Sequence, residues 1–317
     1  MRSAIVFTAS LFLSLAPFAT HATTLAVWLD YLPNPNHVPL FAALELGRFA
    51  ARGLDVDLVV PSSASDPAKL AAARVADVAL TPQINYLIAR AEGLPLVAIG
   101  VYIDESLGGL LALSDSDVRD LADLARRPIG YSLAPLEPVL WRAMLSCVGV
   151  PAEDVDLISI GYSTTAALLD GSVAAIGAFR NIEAVLPEVE ARGPVFFPQE
   201  AFCIPATYDL VFVANPTVVA ERAADLANFL AAVEEAIAAT REAPDAAFAA
   251  FARLYPELDD DFDRRSFAAT LPLYAESVTL RDPSVWQAVQ EFLAQAGLVA
   301  RLTPFESLVV DLALSEP

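Results

Sequence analysis

Short apolar runs alternate with stretches of helical period along most of the chain. Leu25, Val27 and Leu29 alternate with smaller or polar neighbours around Trp28 and predict a strand that stops at Asp30. An amphipathic run at 38–51, with Pro39 in its first turn and Gly53 just beyond its end, predicts a helix. From residue 54 the order is strand, helix, strand, helix: GLDVDLVVP is extended, DPAKLAAARV helical, ADVALT extended as far as Thr81-Pro82-Gln83, and INYLIARAEG helical and closed by Gly93. LPLVAIGVYI is then a continuous apolar run of the kind shown by a strand buried on both faces. Repeated βα units with short connections predict a parallel sheet covered by helices.

The pattern is interrupted at Ser114-Asp115-Ser116-Asp117, after which a second α/β series begins. LADLARRPIGYS reads as a short helix and a strand ending at Ser132. A helix at 137–148, a strand at 155–160, a short helix at 164–170, the strand AAIGAF and a helix at 183–190 follow. TYDLVFVAN returns as a strand, and the remainder is helical at 218–240, 245–254, 260–274 and 283–296. The expected organisation is a first lobe of 23–113 plus 206–317 and a second of 114–205.

Composition changes the picture at the ends and on the surface. Residues 1–22 carry one charge, Arg2, then an apolar run from Ala4 to Phe18 and the small residues a signal peptidase reads, so a secretory leader cleaved after Ala22 is expected. No Cys follows that run, and no later segment has about eighteen uninterrupted apolar residues. The remaining chain, about 295 residues, is long enough for two domains with substantial cores. Lys plus Arg number 19 against 40 Asp plus Glu, a net charge of −21, which becomes one unit more negative without Arg2. Such a surface repels nucleic acid and anionic headgroups, and no basic cluster relieves it. Cys147 and Cys203 sit in an exported, oxidising setting; they could pair or be buried free thiols, since sequence gives no distance between them. Asp259, Asp260 and Asp261 read as a solvated helix start rather than a metal cluster, because consecutive acids project in different directions and the macrodipole favours them there.

The densest candidate chemistry lies between the first strand and the first helix. Asp30, Tyr31, Asn34, Asn36 and His37 crowd into eight residues stiffened by Pro33 and Pro35, at the carboxyl end of a strand, where open α/β sheets bind ligands. Capping and turn formation account for one or two such residues, not five.

The motifs LDYLPNPNHVPLFAA at 29–43, GRFAARGLDVDLVVP at 47–61, ADVALTPQ at 76–83, LADLARRPIGYS at 121–132, IGAFRNIE at 176–183 and IPATYDLVFVAN at 204–215 together resemble a known family. They are similar to periplasmic solute-binding proteins of ABC importers, in the group of thiamin-pyrimidine-precursor binders and the related fungal pyrimidine synthases. The second, third and fourth motifs occur broadly in nitrate, sulfonate and aliphatic-solute binders; PNPNH and GAFRNIE are narrower. The resemblance implies a type II periplasmic-binding-protein fold, with two α/β lobes and a ligand cleft between them. It also implies a soluble, periplasmic, monomeric protein that delivers its ligand to a membrane permease and needs no cofactor.

A 4-aminopyrimidine has two flat apolar faces and an edge that alternates donor and acceptor, so it wants aromatic rings and an amide or carboxylate. The aromatic candidates at strand ends are Tyr31, Tyr102, Tyr131, Phe179 and Tyr208. The polar ones are Asp30, Asn34, Asn36, His37, Gln83, Asn85, Ser132, Glu137, Arg180, Asn181, Glu183 and Asp209. For each aromatic, core packing is the competing role; for Glu183 it is a first-turn helix acid, and Arg180 has either Glu183 or a ligand carbonyl or phosphate to meet. Where the family often has an aromatic before an acid, this chain has Leu136-Glu137, which leaves the ligand's shape open. Formylaminopyrimidine and hydroxymethylpyrimidine are the expected ligands, with sulfonates such as taurine, nitrate or another heterocycle as alternatives.

An enzyme is the alternative of a different class, because the fungal relatives use this scaffold to make the pyrimidine. That chemistry needs a Schiff-base lysine. Lys69 is the one lysine of the chain, and the positions of the family's reactive lysine and histidine fall on Thr81 and Asn85. His37 is the sole histidine after the leader, which excludes a His-rich metal site, and no Gly-x-Ser-x-Gly elbow exists. The expectation is therefore a binding protein with no catalytic residues and no metal. An adaptor role would call for internal repeats or a large apolar patch, and no repeat is present.

Overall fold

A computed structural model describes residues 22–63, 66–161, 163–279 and 282–312. The expected leader lies outside these residues, except for Ala22. Four strands open the chain, β1 (Thr23–Trp28), β2 (Leu54–Val59), β3 (Val78–Thr81) and β4 (Val97–Ile103). Five follow elsewhere, β5 (Gly108–Leu113), β6 (Pro128–Tyr131), β7 (Asp156–Ser159), β8 (Ala175–Phe179) and β9 (Pro194–Pro198), before β10 (Leu210–Ala214). The helices are α1 (Val38–Glu45), α2 (Arg48–Ala51), α3 (Pro67–Ala72), α4 (Gln83–Ala91), α5 (Leu136–Cys147) and α6 (Thr164–Leu169), then α7 (Pro187–Glu190), α8 (Pro216–Glu242), α9 (Pro244–Leu254), α10 (Asp261–Thr270), α11 (Pro283–Gln295) and α12 (Phe305–Leu308).

The strands form two sheets, ordered β2-β1-β3-β10-β4 and β7-β6-β8-β5-β9. Neither is purely parallel, as the βα pattern alone predicts. β1 runs parallel to β2 and β3, but β10 inserts antiparallel between β3 and β4. In the second sheet β6 runs parallel to β7 and β8, and β5 is antiparallel to both β8 and β9. Each sheet thus takes its fourth strand from the segment that has just crossed over from the other. The crossings run through 104–107 and 199–209, so the second sheet begins at β5, before the boundary expected at 113/114. Two-way crossing explains the antiparallel strands, because a βα repeat within one lobe cannot supply them.

The crossings are fastened to one another. Buried Thr207 donates its N–H to Ser106 Oγ at 2.9 Å, and Leu107 N–H reaches Asp209 Oδ1 at 3.3 Å. Cys147, at the end of α5, is disulfide-bonded to Cys203 in the returning crossing, with Cα atoms 5.8 Å apart.

Alternation within strands divides the core. In β10, Phe212 packs with Leu25, Val27, Leu80 and apolar residues of α1, α8 and α9. Its neighbours Val211 and Val213 face the opposite way, into a cluster with Ala79, Trp286 of α11 and, from the second sheet, Leu110 and Ile129. Phe212 lies 5.5 Å from the Tyr102 ring and 5.3 Å from that of Phe229, centre to centre, so aromatic contacts fill the middle of the first layer.

Several helices depart from their predicted extent. The run at 38–51 is split by Gly47, whose φ of 70° is left-handed and starts α2 afresh. The stretch at 183–190 is a 3-10 turn followed by the single turn α7, because Pro187 cannot continue a helix from Leu186. Asn215, Asp260 and Asp282 cap α8, α10 and α11 by accepting N–H groups of Thr217, Asp263 and Ser284 at 2.8–2.9 Å. The three consecutive acids serve this helix start: Asp260 caps it, Asp259 pairs with Arg264 and Asp261 with Arg265.

Candidate functional site

The carboxyl ends of β1, β3, β6 and β8 point toward the seam between the sheets, and the two crossings run through it. A cavity of about 110 Å³ opens there. The first sheet supplies Pro82, Gln83, Ile84 and Asn85 at the β3–α4 junction. The second supplies Leu133, Leu136, Glu137, Leu140 and Trp141 around the start of α5, with Ala178 and Phe179 at the end of β8. Gly108, Gln199, Thr207, Tyr208 and Asp209 complete it from the crossings and the start of β5.

Six of the sequence-derived candidates therefore line one cavity: Gln83, Asn85, Glu137, Phe179, Tyr208 and Asp209. Gln83 is fully buried and holds the returning crossing, its Oε1 accepting Tyr208 N–H at 3.0 Å. Glu137, in the first turn of α5, gathers the strand end that precedes it, accepting N–H groups of Ser132 at 2.6 Å and Leu133 at 3.0 Å. Ser132 thus acts on Glu137. Phe179 presents an exposed ring at the mouth and donates its N–H to Glu183 Oε2 at 2.8 Å. Burial raises the Glu183 carboxyl, and the like charge of Glu137 adds to this; the Phe179 N–H opposes it. Asp209 is buried, and desolvation pushes its carboxyl up to about 7 against the lowering effect of the Leu107 N–H. Tyr208 packs on Trp286 with ring centres 5.8 Å apart, and burial raises its phenol.

The loop after β1 does something different with its polar residues. His37 is fully buried; its Nδ1 lies 3.3 Å from the Asn34 N–H and can only accept there, so Nε2 carries the proton and donates to Asp30 Oδ1 at 2.8 Å. Asn34 caps the next turn, its Oδ1 accepting Asn36 N–H at 2.9 Å. Asn36 is buried, and its Oδ1 accepts from Asn181 Nδ2 at 2.7 Å. The same Nδ2 reaches Thr270 Oγ1 of α10 at 2.8 Å. Tyr102 and Tyr274 donate their hydroxyls to the carbonyls of Asn36 at 2.8 Å and Pro35 at 2.9 Å. PNPNH and FRN thus meet each other and join the two sheets. Tyr31 is exposed beside this loop, Tyr102 is a core ring, and Tyr131 is half-buried at the end of β6. Arg180 is ion-paired with Glu200 and lies over the Phe196 ring, rather than meeting Glu183.

Leu136, singled out for its bearing on the ligand's shape, lines the cavity, whereas sequence reasoning missed Trp141, Leu133, Gln199 and Thr207. Trp141 carries a signal that was there to be read, since it lies four residues after Glu137 and a helix puts that pair on one face. The lining contains two carboxylates and no Lys, Arg or His. Lys69 is exposed on α3 and has no part in it. The described residues contain no group of three or more His, Cys, Asp or Glu placed to hold a metal ion, and no helix long and apolar enough to cross a membrane.

A family model described as NMT1/THI5 like matches residues 34–247. A Haemophilus influenzae protein whose name assigns it to thiamine biosynthesis is 33% identical over 309 residues, covering 96% of this chain and 97% of that one. The formylaminopyrimidine-binding protein of Halalkalibacterium halodurans is 31% identical over 245 residues, 77% of this chain and 74% of its own. A Legionella pneumophila relative named 4-amino-5-hydroxymethyl-2-methylpyrimidine phosphate synthase is 23% identical, over 86% of each chain. Among solved structures, the periplasmic aliphatic sulphonate binding protein SsuA of Escherichia coli superposes with a TM-score of 0.74 at 16% identity, covering 91% of this chain and 92% of that one. That likeness shows the two-lobed periplasmic-binding-protein fold.

Proposed function

The chain belongs to the NMT1/THI5-like family, and on that premise we propose that it is the periplasmic substrate-binding component of an ABC importer, holding an aminopyrimidine thiamin precursor between its two lobes. The lobes are the two sheets with their helices, and the ligand is a formylaminopyrimidine or hydroxymethylpyrimidine. The observation that carries this reading is the chemistry of the cavity lining. Phe179, Tyr208 and Trp141 offer aromatic surface, while Glu137 and Asp209 offer carboxylates to an exocyclic amine. A sulfonate or nitrate would need positive charge where this lining has none, and Arg180 is already committed to Glu200. A synthase would need a lysine at the cavity, and Lys69 is an exposed residue of α3. Ligand that touches both lobes stabilises their closed arrangement by its differential contacts, which gives a permease a way to tell loaded protein from empty.

Calorimetric titration tests this directly. Formylaminomethyl-aminopyrimidine, hydroxymethylpyrimidine, thiamin and taurine are compared in one buffer. Binding of a pyrimidine at about micromolar Kd or tighter, with taurine silent, is the expected result. Taurine binding with every pyrimidine silent would sink the ligand assignment.

A further inference from the structure

Two hydrogen-bond donors of the cavity residues have no partner among the described residues. Gln83 Nε2 and Trp141 Nε1 are both buried and unpaired, on side chains that are 0% and 3% exposed. The orientation of the Gln83 amide is fixed by chemistry, because its other end receives the Tyr208 N–H and only an oxygen can do that. An indole N–H can only donate. Buried donors are almost always satisfied, so two orphans in the lining of one cavity mark a place built for an acceptor that arrives from outside. Other buried donors, Trp286 Nε1 and Thr240 Oγ1 among them, are unpaired as well, but they belong to residues outside the lining.

The two donors come from opposite sides of the seam. Gln83 opens α4 behind β3 of the first sheet, and Trp141 lies on α5 against the second. A pyrimidine ring nitrogen has one in-plane lone pair and accepts one such donor. A carbonyl oxygen has two and carries no proton of its own to place. A hydroxymethyl oxygen would have to accept both donors and still find an acceptor for its hydrogen.

Resting on the pyrimidine-binding reading, we infer that Gln83 and Trp141 are a specificity-determining donor pair that reads a carbonyl oxygen on the ligand's side chain, so that a formylamino substituent is selected over a hydroxymethyl one. The same oxygen then bridges the two lobes.

The test measures the affinity ratio of formylaminomethyl-aminopyrimidine to hydroxymethylpyrimidine by calorimetry, in the wild type, in Trp141→Phe and in Gln83→Met. Trp141→Phe keeps an aromatic ring but removes the donor together with part of a ring that is 3% exposed, so its ligand-free melting temperature falls somewhat and the affinity ratio is the readout. Both variants are expected to lose about 10-fold or more in affinity for the formylamino compound and less than about 3-fold for the hydroxymethyl one. Gln83→Met also loses the bond to Tyr208, so the ratio is the readout that a merely structural role would not move. An unchanged ratio in both variants overturns the inference and leaves the pyrimidine reading standing. A wild type that binds neither pyrimidine overturns both.

Discussion

The two sheets have the same plan and very different supplies of apolar surface. Both set three parallel strands, then an antiparallel strand received from the crossing chain, then a last parallel strand. The outer face of the first sheet is covered by α1, α8 and α9 through a cluster that includes Phe41, Phe212, Phe229 and Phe251. The corresponding face of the second rests on a small cluster of Leu111, Leu113, Leu168, Val173, Ile176 and a few neighbours, and its edge strand β7 is largely exposed. One topology can thus stand on a large core or on a lean one, and the lean one carries the disulfide.

Breaking that bond should therefore have the largest effect of the changes considered. Cys147 and Cys203 are 56 residues apart, so the cross-link lowers the chain entropy of the unfolded state by an amount worth about 4 kcal/mol at 25 °C. Urea unfolding with and without reductant, or of Cys147→Ala/Cys203→Ala, checks this. The comparison sharpens if far-UV and tryptophan probes separate, with the second sheet lost first; a coincident transition that does not shift would remove the staple from the account.

The next effect acts on pH. Asp209 holds its proton up to about pH 7 in the folded protein against 3.8 in the unfolded reference. Between those values the folded state binds a proton that the unfolded state has released, so this residue makes stability fall as pH rises through that window. The expected penalty for the ionised form at pH 8 is about 4 kcal/mol, an order-of-magnitude figure. Asp209→Asn keeps an oxygen for the Leu107 N–H, so in a denaturant titration the stability of ligand-free Asp209→Asn relative to the wild type should start to rise above about pH 4, the unfolded value, and level off above about pH 7. Parallel pH curves for the two proteins would refute the assignment.

Asn36→Ala comes third. It removes the acceptor of the Asn181 amide within a buried cluster that joins the loop after β1 to the loop after β8 and to α10, and a loss of about 2 kcal/mol is expected. If its stability is unchanged while pyrimidine affinity collapses, Asn36 is a ligand group rather than a clasp between the sheets.

How much of this was legible follows the same contrast. β4 announces itself as an uninterrupted apolar run because both its faces are buried. β5 is just as buried, yet it opens on Gly108-Gly109, which reads as a turn. A Cβ on Gly109 would stand 2.3 Å from the Phe197 carbonyl oxygen, so glycine is there to let β9 approach. β9 is bracketed by Pro194 and Pro198 and hides for that reason. At the site, sequence could show that polar residues gather at strand ends, but not which way they turn. Asn34 and Gln83 look alike as candidates; one caps a turn, and the other lines the cavity. That difference is set by tertiary packing and has no local signature.

The smallest effect concerns a second link across the same seam, and it tests whether burial is what gives the Asn36–Asn181 contact its weight. Arg265 of α10 pairs with Glu190 of α7 and, one turn back on its own helix, with Asp261 at 2.9 Å. Its side chain is 47% exposed and that of Glu190 39%, so water competes for both charges and salt screens them over about 8 Å at physiological ionic strength. Arg265→Ala should therefore cost about 0.5 kcal/mol or less, with most of the loss gone in high salt, although the link it removes is a formal ion pair. The Asn36→Ala loss, made of uncharged hydrogen bonds out of reach of solvent, should be insensitive to salt. Denaturation of both variants at low and high salt decides the matter. If Arg265→Ala proves the costlier of the two, the sheets are held at this seam by surface charge, and the buried amide cluster has to be given another role.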